Sequence, residues 1–352
     1  MTATGDGPEV RFERRGRLGL ITLNRPRAIN ALTHGMVREI HRQLDVWRDE
    51  DAVATIAITG AGERGLCAGG DIVGLYRDAT EGDGSEAAAF WADEYRLNAA
   101  IARFPKPYVA IQDGIVLGGG IGVSAHGSHR VVTERSSLGL PETGIGFVPD
   151  VGATWLLSRA PHRLGLRLAM SAASVGAADA ILVGLADRFV PSERIPDLLR
   201  ALETQDADAA IAAVEAPAGD PALAAEAAWT ERVFATGSVP EVLDALEREE
   251  TPEAAAVRER IAAKSPIAVA VALEAIRRAE ALASLEEALE WEYRVSCHAA
   301  RTHDFIEGVR AQVIDKDRNP RWQPAGHDDV THEQVEAYFA LRPEAPLGLA
   351  DI

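Results

Sequence analysis

The chain of 352 residues carries 36 Lys and Arg side chains against 54 Asp and Glu side chains, so its formal net charge is −18. This charge argues against nucleic acid as a main partner, because a phosphate backbone requires a basic surface. Two cysteines cannot build a disulfide framework, and neither a run of 18 apolar residues nor a signal-peptide start is present, so we expect a cytoplasmic protein without membrane contact.

The first half of the chain alternates predicted strands with predicted helices. Apolar residues recur at helical spacing over 33–47, whereas 53–59 is a short β-branched run that is typical of a buried strand. The predicted strands lie at 10–14, 17–23, 53–59, 108–112 and 130–133, and the predicted helices at 33–47, from 71, at 86–104 and from 118.

The second half, from about 193 to 290, is rich in Ala, Leu, Glu and Arg and predicts helices. Segments 204–222 and 236–252 contain Pro, Gly and acidic residues and are predicted to be connections. Ser284 with Glu287 three residues later matches a capping box that opens a helix. The order predicts an α/β protein with a core over 8–200 and a helical C-terminal region over 201–345 that completes the same catalytic unit.

Three glycine-rich or acidic stretches are candidates for chemistry: 67–71 (CAGGD), 118–122 (GGGIG) and 141–150 (PETGIGFVPD). Glycine at a helix start lets a ligand approach unpaired backbone N–H groups. Two such groups from separate loops form an oxyanion hole, which stabilises charge developing on a carbonyl oxygen. Taken singly, such glycine clusters more often serve only tight turns or close packing, because they are common in loops.

Glu142 and Asp150 are candidates for an acid/base pair, although a helix cap or solvated loop charges are an alternative. The nucleophile-elbow pattern G-x-S-x-G of serine hydrolases is absent from the sequence. The metal motif H-E-x-x-H is also absent, so no metal site is predicted. Cys67 is interpreted as a small buried cysteine. A loose dinucleotide fingerprint at 120–125 lies too deep in the chain to open a first βα turn.

Taken together, these segments resemble the enoyl-CoA hydratase/isomerase (crotonase) superfamily. Its three N-terminal signatures match 23–31 (LNRPRAINA), 66–72 (LCAGGDI) and 114–120 (GIVLGGG) in order and spacing. Within the superfamily the chain resembles the 3-hydroxyisobutyryl-CoA hydrolase branch, through 118–127, 141–152, 291–296, 303–311 and 314–322. The resemblance covers about 10–340 and implies a crotonase-like spiral of ββα units with a helical C-terminal region.

The resemblance implies catalytic roles for four residues. The N–H groups of Gly70 and Gly119 correspond to the two oxyanion donors, which bind the thioester carbonyl of an acyl-CoA. Glu142 matches the catalytic glutamate of the family, and Asp150 matches the second acidic residue of the hydrolase branch.

Further residues are implied to bind the substrate. Glu94 matches a substrate-contacting glutamate of the branch, and Ala68 and Gly69 are expected to contact the substrate through the backbone, Ala68 at its CoA portion. Arg25 and Arg27 lie where the family often supplies cations near the CoA phosphates, although solvated loop charges are an equal alternative.

Gly122 stands where hydratases carry a second glutamate, three residues after the oxyanion glycine. The resemblance therefore implies hydrolysis of a short-chain acyl-CoA, most of all 3-hydroxyisobutyryl-CoA in valine catabolism. The alternatives are an enoyl-CoA hydratase or isomerase and a non-catalytic acyl-CoA-binding protein. No cofactor is expected, because CoA is part of the substrate and product. The expected partners are the acyl-CoA and, since trimers are common in the superfamily, further copies of the chain in a homo-oligomer.

Overall fold

The computed structural model describes residues 7–340 and 346–349 of the chain. Within those residues it contains ten β-strands and sixteen α-helices. The strands are β1 (Val10–Arg15), β2 (Leu18–Leu23), β3 (Thr55–Gly60), β4 (Gly65–Cys67), β5 (Tyr108–Gln112), β6 (Ile115–Leu117), β7 (His129–Val132), β8 (Ser137–Gly139), β9 (Ser174–Val175) and β10 (Arg188–Phe189). The helices are α1 (His34–Asp49), α2 (Ile72–Glu81), α3 (Ser85–Ala102), α4 (Gly119–Gly122), α5 (Ala153–Ser158), α6 (Leu164–Ser171), α7 (Ala177–Leu182), α8 (Ile195–Leu202), α9 (Ala207–Ala212), α10 (Ala227–Val233), α11 (Val239–Arg248), α12 (Pro252–Ala262), α13 (Pro266–Glu280), α14 (Leu285–Ala299), α15 (His303–Val309) and α16 (His332–Ala340).

A six-stranded sheet has the strand order β1-β2-β3-β5-β7-β10. β1 and β2 form an antiparallel hairpin in which Val10 lies opposite Leu23, and the remaining neighbours pair in parallel. Every residue of β2 and β5 is buried, as is typical of parallel strands that are covered on both faces. The shorter strands form a second sheet in the order β4-β6-β8-β9.

The chain divides into two compact units. Unit 1 comprises the described residues up to Gly70 together with Arg96–Leu138 and Val175–Ala222, and it contains the six-stranded sheet. Its core joins sheet residues such as Leu20 and Val109 to apolar residues of α8 and α9. Removing such side chains from water is the main source of stability for this sheet.

Unit 2 comprises Asp71–Tyr95, Gly139–Ser174 and the described residues from Leu223 onward, and it is mainly helical. Helix α13 is capped by the Ser265 hydroxyl, which accepts from the N–H of Ala268 at 3.1 Å, and it packs against α5, α6 and α16. In the described part of the chain, no helix has the length and apolar character needed to cross a bilayer.

Most predicted elements are confirmed. β5 has the predicted bounds, and α1 begins after Thr33, whose hydroxyl accepts from the N–H of Met36 at 3.2 Å. Ser284 caps α14 as predicted, but the carboxylate of Glu287 accepts from the N–H of Ala283 at 2.9 Å rather than from that of Ser284. The predicted boundary near residue 200 stays a prediction.

Two predicted connections are wrong, because both contain helices. Segment 236–252 contains α11, where Ser238 and Glu241 form a capping box and Pro240 stands in the first turn. Proline is tolerated there because the first-turn N–H groups lack intrahelical acceptors. Segment 204–222 contains α9, which begins after Asp206; the carboxylate of Asp206 accepts from the N–H of Ala209 at 2.9 Å.

Candidate active site

Two of the glycine-rich stretches lie side by side in unit 1. Gly70 forms an isolated parallel bridge with Leu32, whose N–H donates to the carbonyl of Gly69 at 2.8 Å. A Cβ placed on Gly69 would lie 3.9 Å from the backbone N of Gly119, which is the first residue of α4. The structure therefore brings the 68–70 loop next to Gly119, whose N–H lies in a first turn without an intrahelical acceptor.

Close packing also explains one glycine of this pair of loops. A Cβ on Gly120 would lie 2.6 Å from the carbonyl oxygen of Cys67, a distance that real Cβ atoms do not reach. Only glycine therefore allows α4 to approach the backbone of the 65–70 segment this closely. Cys67 itself is buried, as predicted.

The predicted acidic residues lie in unit 2, on three different parts of the chain. Glu94 comes from α3, Glu142 opens the 3-10 turn Glu142–Ile145, and Asp150 lies in the loop that precedes α5. Each of the three side chains is at most 6% exposed. Buried carboxyl groups are costly unless they are paired or kept neutral, so their burial here points away from solvated loop charges.

The backbone around Glu142 requires glycine at one position. Gly146 ends the 3-10 turn with a φ of 69°, and its N–H donates back to the carbonyl of Glu142. A Cβ at Gly146 would lie 2.0 Å from the carbonyl oxygen of Asp304. Gly146, the last residue of the Pro-Glu-Thr-Gly-Ile-Gly motif, thus fixes the turn that presents Glu142.

The cluster contains a fourth carboxyl group, which the sequence did not predict. Glu292 on α14 is 3% exposed, and its Oε2 accepts from the N–H of Gly152 at 2.5 Å. Its Oε1 accepts from the N–H of Thr154 at 2.9 Å and from the Thr154 hydroxyl at 2.6 Å. Glu292 therefore holds the start of α5, immediately after Asp150.

The four carboxyl groups have raised pKa values. Burial, and then the charge of Asp150, raise the pKa of Glu94 and that of Glu142 well above the usual range. Burial raises the pKa of Asp150 to about 7, against an opposing hydrogen bond from Tyr95, and it raises the pKa of Glu292 to about 8. Like-charged neighbours in a buried site cannot all ionise, so the cluster retains protons near neutral pH.

Several buried side-chain polar atoms have no hydrogen-bond partner within the described residues. They include Oε1 of Glu94, Oε2 of Glu142 and both amide atoms of Asn98, which follows Glu94 by one helical turn. Buried polar atoms without protein partners are exceptions that a bound ligand or water resolves. Asn98 was not predicted, although its spacing of four from Glu94 places both on one face of α3.

The two predicted arginines have different surroundings. Nε of Arg25 lies 3.2 Å from a carboxylate oxygen of Glu9, and Nη1 of Arg25 donates to the carbonyl of Ala31 at 2.5 Å. Arg27 is exposed. Ala68 donates its N–H to the carbonyl of Ile29 at 2.9 Å, so this N–H is already used within the protein.

Within residues 7–340 and 346–349, no group of three or more His, Cys, Asp and Glu side chains is arranged to hold a metal ion. The raised pKa values of the four carboxyl groups of unit 2 make them a candidate for proton transfer. Groups whose pKa values lie near the working pH are the most effective general acids and bases.

Comparison with known proteins identifies the family. A family model described as enoyl-CoA hydratase/isomerase matches residues 18–339. The chain is 38% identical to the mitochondrial 3-hydroxyisobutyryl-CoA hydrolase of Danio rerio, with 99% of this chain and 94% of that protein covered. Two solved structures also match, and each match covers 97% of this chain and 99% of the other. They are a carnitinyl-CoA dehydratase from Mycobacterium thermoresistibile (48% identity, TM-score 0.94) and an enoyl-CoA hydratase from Rhodobacter sphaeroides (41% identity, TM-score 0.91). The chain therefore has the predicted crotonase-like α/β fold with a helical C-terminal region, and it belongs to the enoyl-CoA hydratase/isomerase family.

Proposed function

We propose that this protein is a CoA thioester hydrolase, and that its substrate is 3-hydroxyisobutyryl-CoA, which it converts to 3-hydroxyisobutyrate and CoA in valine catabolism. The observation that carries the proposal is the buried carboxyl cluster of Glu94, Glu142 and Asp150, combined with a glycine at 122. The Danio rerio relative, which matches nearly the whole chain, is named for this reaction.

In this proposal the N–H groups of Gly70 and Gly119 bind the thioester oxygen. Donors aimed at the oxygen stabilise the negative charge that develops when the carbonyl carbon is attacked. The backbone of Ala68 and Gly69 binds the substrate next to them, with Ala68 at the CoA portion. Arg25 and Arg27 are the proposed cations for the CoA phosphates; because Arg25 already has Glu9 as an ion partner, Arg27 is the more available of the two.

Glu142 activates the water or attacks the carbonyl carbon itself. As a base, the ionised Glu142 takes a proton from water while the water oxygen bonds to the carbonyl carbon. The C–S bond then breaks, and the CoA thiolate leaves with a proton returned by a carboxylic acid of the site. As a nucleophile, a carboxylate oxygen of Glu142 bonds to the carbonyl carbon while the C–S bond breaks, so that the CoA thiolate leaves, takes a proton from a carboxylic acid of the site, and a transient anhydride remains. Water then cleaves the anhydride, which releases the free acid product and restores Glu142. Asp150 binds the 3-hydroxyl group or assists the proton transfer, and Glu94 contacts the substrate.

Gly122 separates hydrolysis from hydration. Adding water across a C=C bond requires two carboxyl groups that hold and split the water. Glu142 matches one of this pair, but a glycine at 122 cannot supply the second. The residue is buried within α4, and its missing side chain leaves room for a branched, hydroxylated acyl group. No metal or redox cofactor takes part in the proposed reaction.

Hydration is the second candidate function, because the two similar solved structures described above are named as a dehydratase and a hydratase. One enzyme preparation distinguishes the two. Hydrolysis releases free thiol from 3-hydroxyisobutyryl-CoA, whereas hydration removes the ultraviolet absorbance of crotonyl-CoA or methacrylyl-CoA. We expect thiol release and slow loss of absorbance. Brisk hydration without thiol release from any 3-hydroxyacyl-CoA would establish the hydratase instead.

A non-catalytic acyl-CoA-binding protein would retain binding but turn over no member of an acyl-CoA panel. A pure binder needs neither Glu142 nor Asp150 in a buried site. The cytoplasmic location and the homo-oligomer belong to the proposal too, although the Danio rerio relative is named as mitochondrial. Fractionation of the source cells and sedimentation of the purified protein test these two points.

A further inference from the structure

Asp150 is held by a chain of hydroxyl groups. The Tyr95 hydroxyl lies 2.6 Å from Oδ2 of Asp150 and 2.7 Å from Oγ of Ser296. Tyr95 and Ser296 are completely buried, and Asp150 is 5% exposed. The three side chains come from α3, from the loop before α5 and from α14, so helices far apart in sequence converge on this one carboxyl group.

The protons of this chain have one consistent arrangement when Asp150 is ionised. A carboxylate only accepts, so the single hydroxyl proton of Tyr95 points to Oδ2 of Asp150. The oxygen of Tyr95 then accepts from the Ser296 hydroxyl. Aligned hydrogen bonds polarise one another, so the serine strengthens the bond that the tyrosine donates.

The backbone after Asp150 is held from the same side. Val151 and Gly152 have φ values of 58° and 78°, a left-handed pair that is costly for the β-branched valine. Glu292 binds the N–H groups of Gly152 and Thr154, and it precedes Ser296 by four residues on α14. One face of α14 thus fixes both the strained turn and the hydroxyl chain.

We propose that Tyr95 is the positioning residue for Asp150, with Ser296 orienting the tyrosine hydroxyl. The tyrosine hydroxyl donates to Oδ2, and in this proposal Oδ1 binds the substrate. The same hydrogen bond favours the ionised form of Asp150, which the like charges of Glu94, Glu142 and Glu292 oppose. The role of Asp150 in this inference rests on the proposed hydrolysis.

The test is Tyr95→Phe, which deletes one hydroxyl and keeps the ring that packs edge-on against Tyr293. A hydrogen bond to a charged group corresponds to about one to two pKa units. The pH profile of thiol release should contain a limb that reports the ionisation of Asp150 and that is absent in Asp150→Asn. In Tyr95→Phe this limb should move to higher pH by about that amount. Ser296→Ala should move it in the same direction by less. Tyr338→Phe is the matched control, because Tyr338 is a buried tyrosine of unit 2 whose hydroxyl bonds Thr302 instead, and it should leave the limb in place.

A second measurement does not depend on turnover. Carboxyl carbon NMR of protein labelled at aspartate, with the Asp150 signal assigned by its loss in Asp150→Asn, gives the titration of Asp150 directly. We expect the titration to move to higher pH in Tyr95→Phe and in Ser296→Ala. An unchanged titration in both variants overturns the inference. If the Asp150 titration moves but the wild-type protein releases no thiol, the result supports the positioning of Asp150 by Tyr95 and rejects the proposed function.

Discussion

The clearest perturbation is Asp150→Asn, because it removes one titrating group from a buried site while keeping its size. Burial raises the pKa of Asp150 from 3.8 to about 7. Above pH 4 the unfolded aspartate has lost its proton, whereas the folded one keeps it until about pH 7. The unfolded state thus binds fewer protons in this window, and the free energy of unfolding of the wild type falls as pH rises.

The size of the effect follows from the same pKa difference. Three pKa units correspond to about 4 kcal/mol, of which about 2 kcal/mol falls between pH 5.5 and pH 8. For a chain of 352 residues, 2 kcal/mol moves the midpoint of thermal unfolding by roughly 3 °C. Measured across that pH range, which avoids the isoelectric point near 5.0, the Tm of Asp150→Asn should rise relative to the wild type by this amount.

Asp187→Asn is the control, because Asp187 is shifted in the opposite direction. Burial raises its pKa, but the hydrogen bonds and the charge of Arg130 outweigh burial and leave the pKa below its usual value. Its contribution to stability is lost only as pH falls below about 4, so its difference from wild type should stay constant from pH 5.5 to pH 8. A Tm difference for Asp150→Asn that is equally constant would refute the reasoning about the buried cluster.

Three further variants test the proposed catalysis. Glu142→Gln should keep the fold and CoA binding but lower thiol release by about 10²–10⁴-fold, as loss of a general base does, and near-wild-type turnover would contradict its assignment. Gly119→Pro deletes one backbone donor and should lower kcat on the order of 10²–10³-fold; circular dichroism must show that the protein is folded, and an unchanged kcat would exclude this donor. Gly122→Glu should crowd the acyl pocket and lower thiol release without producing efficient hydration of crotonyl-CoA.

Local signals in the sequence were sufficient for much of the fold. The apolar run of β5 and the helical spacing of apolar residues over 33–47 each specify an element from neighbouring residues alone, and both predictions are confirmed. The wrong prediction at 236–252 arose because Pro240 resembles a break, whereas it stands in the first turn of α11, where proline fits. Composition cannot tell these two positions of a proline apart, but the Ser238–Glu241 spacing does.

The candidate site was predictable only in part. Glu142 and Asp150 stand in a recognisable loop, and Glu94 follows from the family resemblance. Their supporting residues were not predicted, because the contacts join distant parts of the chain: Tyr95 lies 55 residues from Asp150 and 201 from Ser296. The spacing of Glu292 and Ser296 on α14 was visible, but polar residues four apart on a helix most often face solvent.

The balance of charge in unit 2 connects stability to the proposed chemistry. Elsewhere in this unit a largely buried carboxylate is paired with a cation: Arg167 lies 2.7 Å from Glu226, and both side chains are largely buried. Around Glu142 the charges that shift its pKa are those of Asp150, Glu94 and Glu292, all of one sign, so each group opposes the ionisation of the others. A fold selected for stability alone would gain from an apolar residue or an arginine there. The cluster instead holds protons near neutral pH. Ionised and protonated carboxyl groups then coexist in one site, and thioester hydrolysis needs both: one to take a proton from water, and one to return a proton to the leaving thiolate.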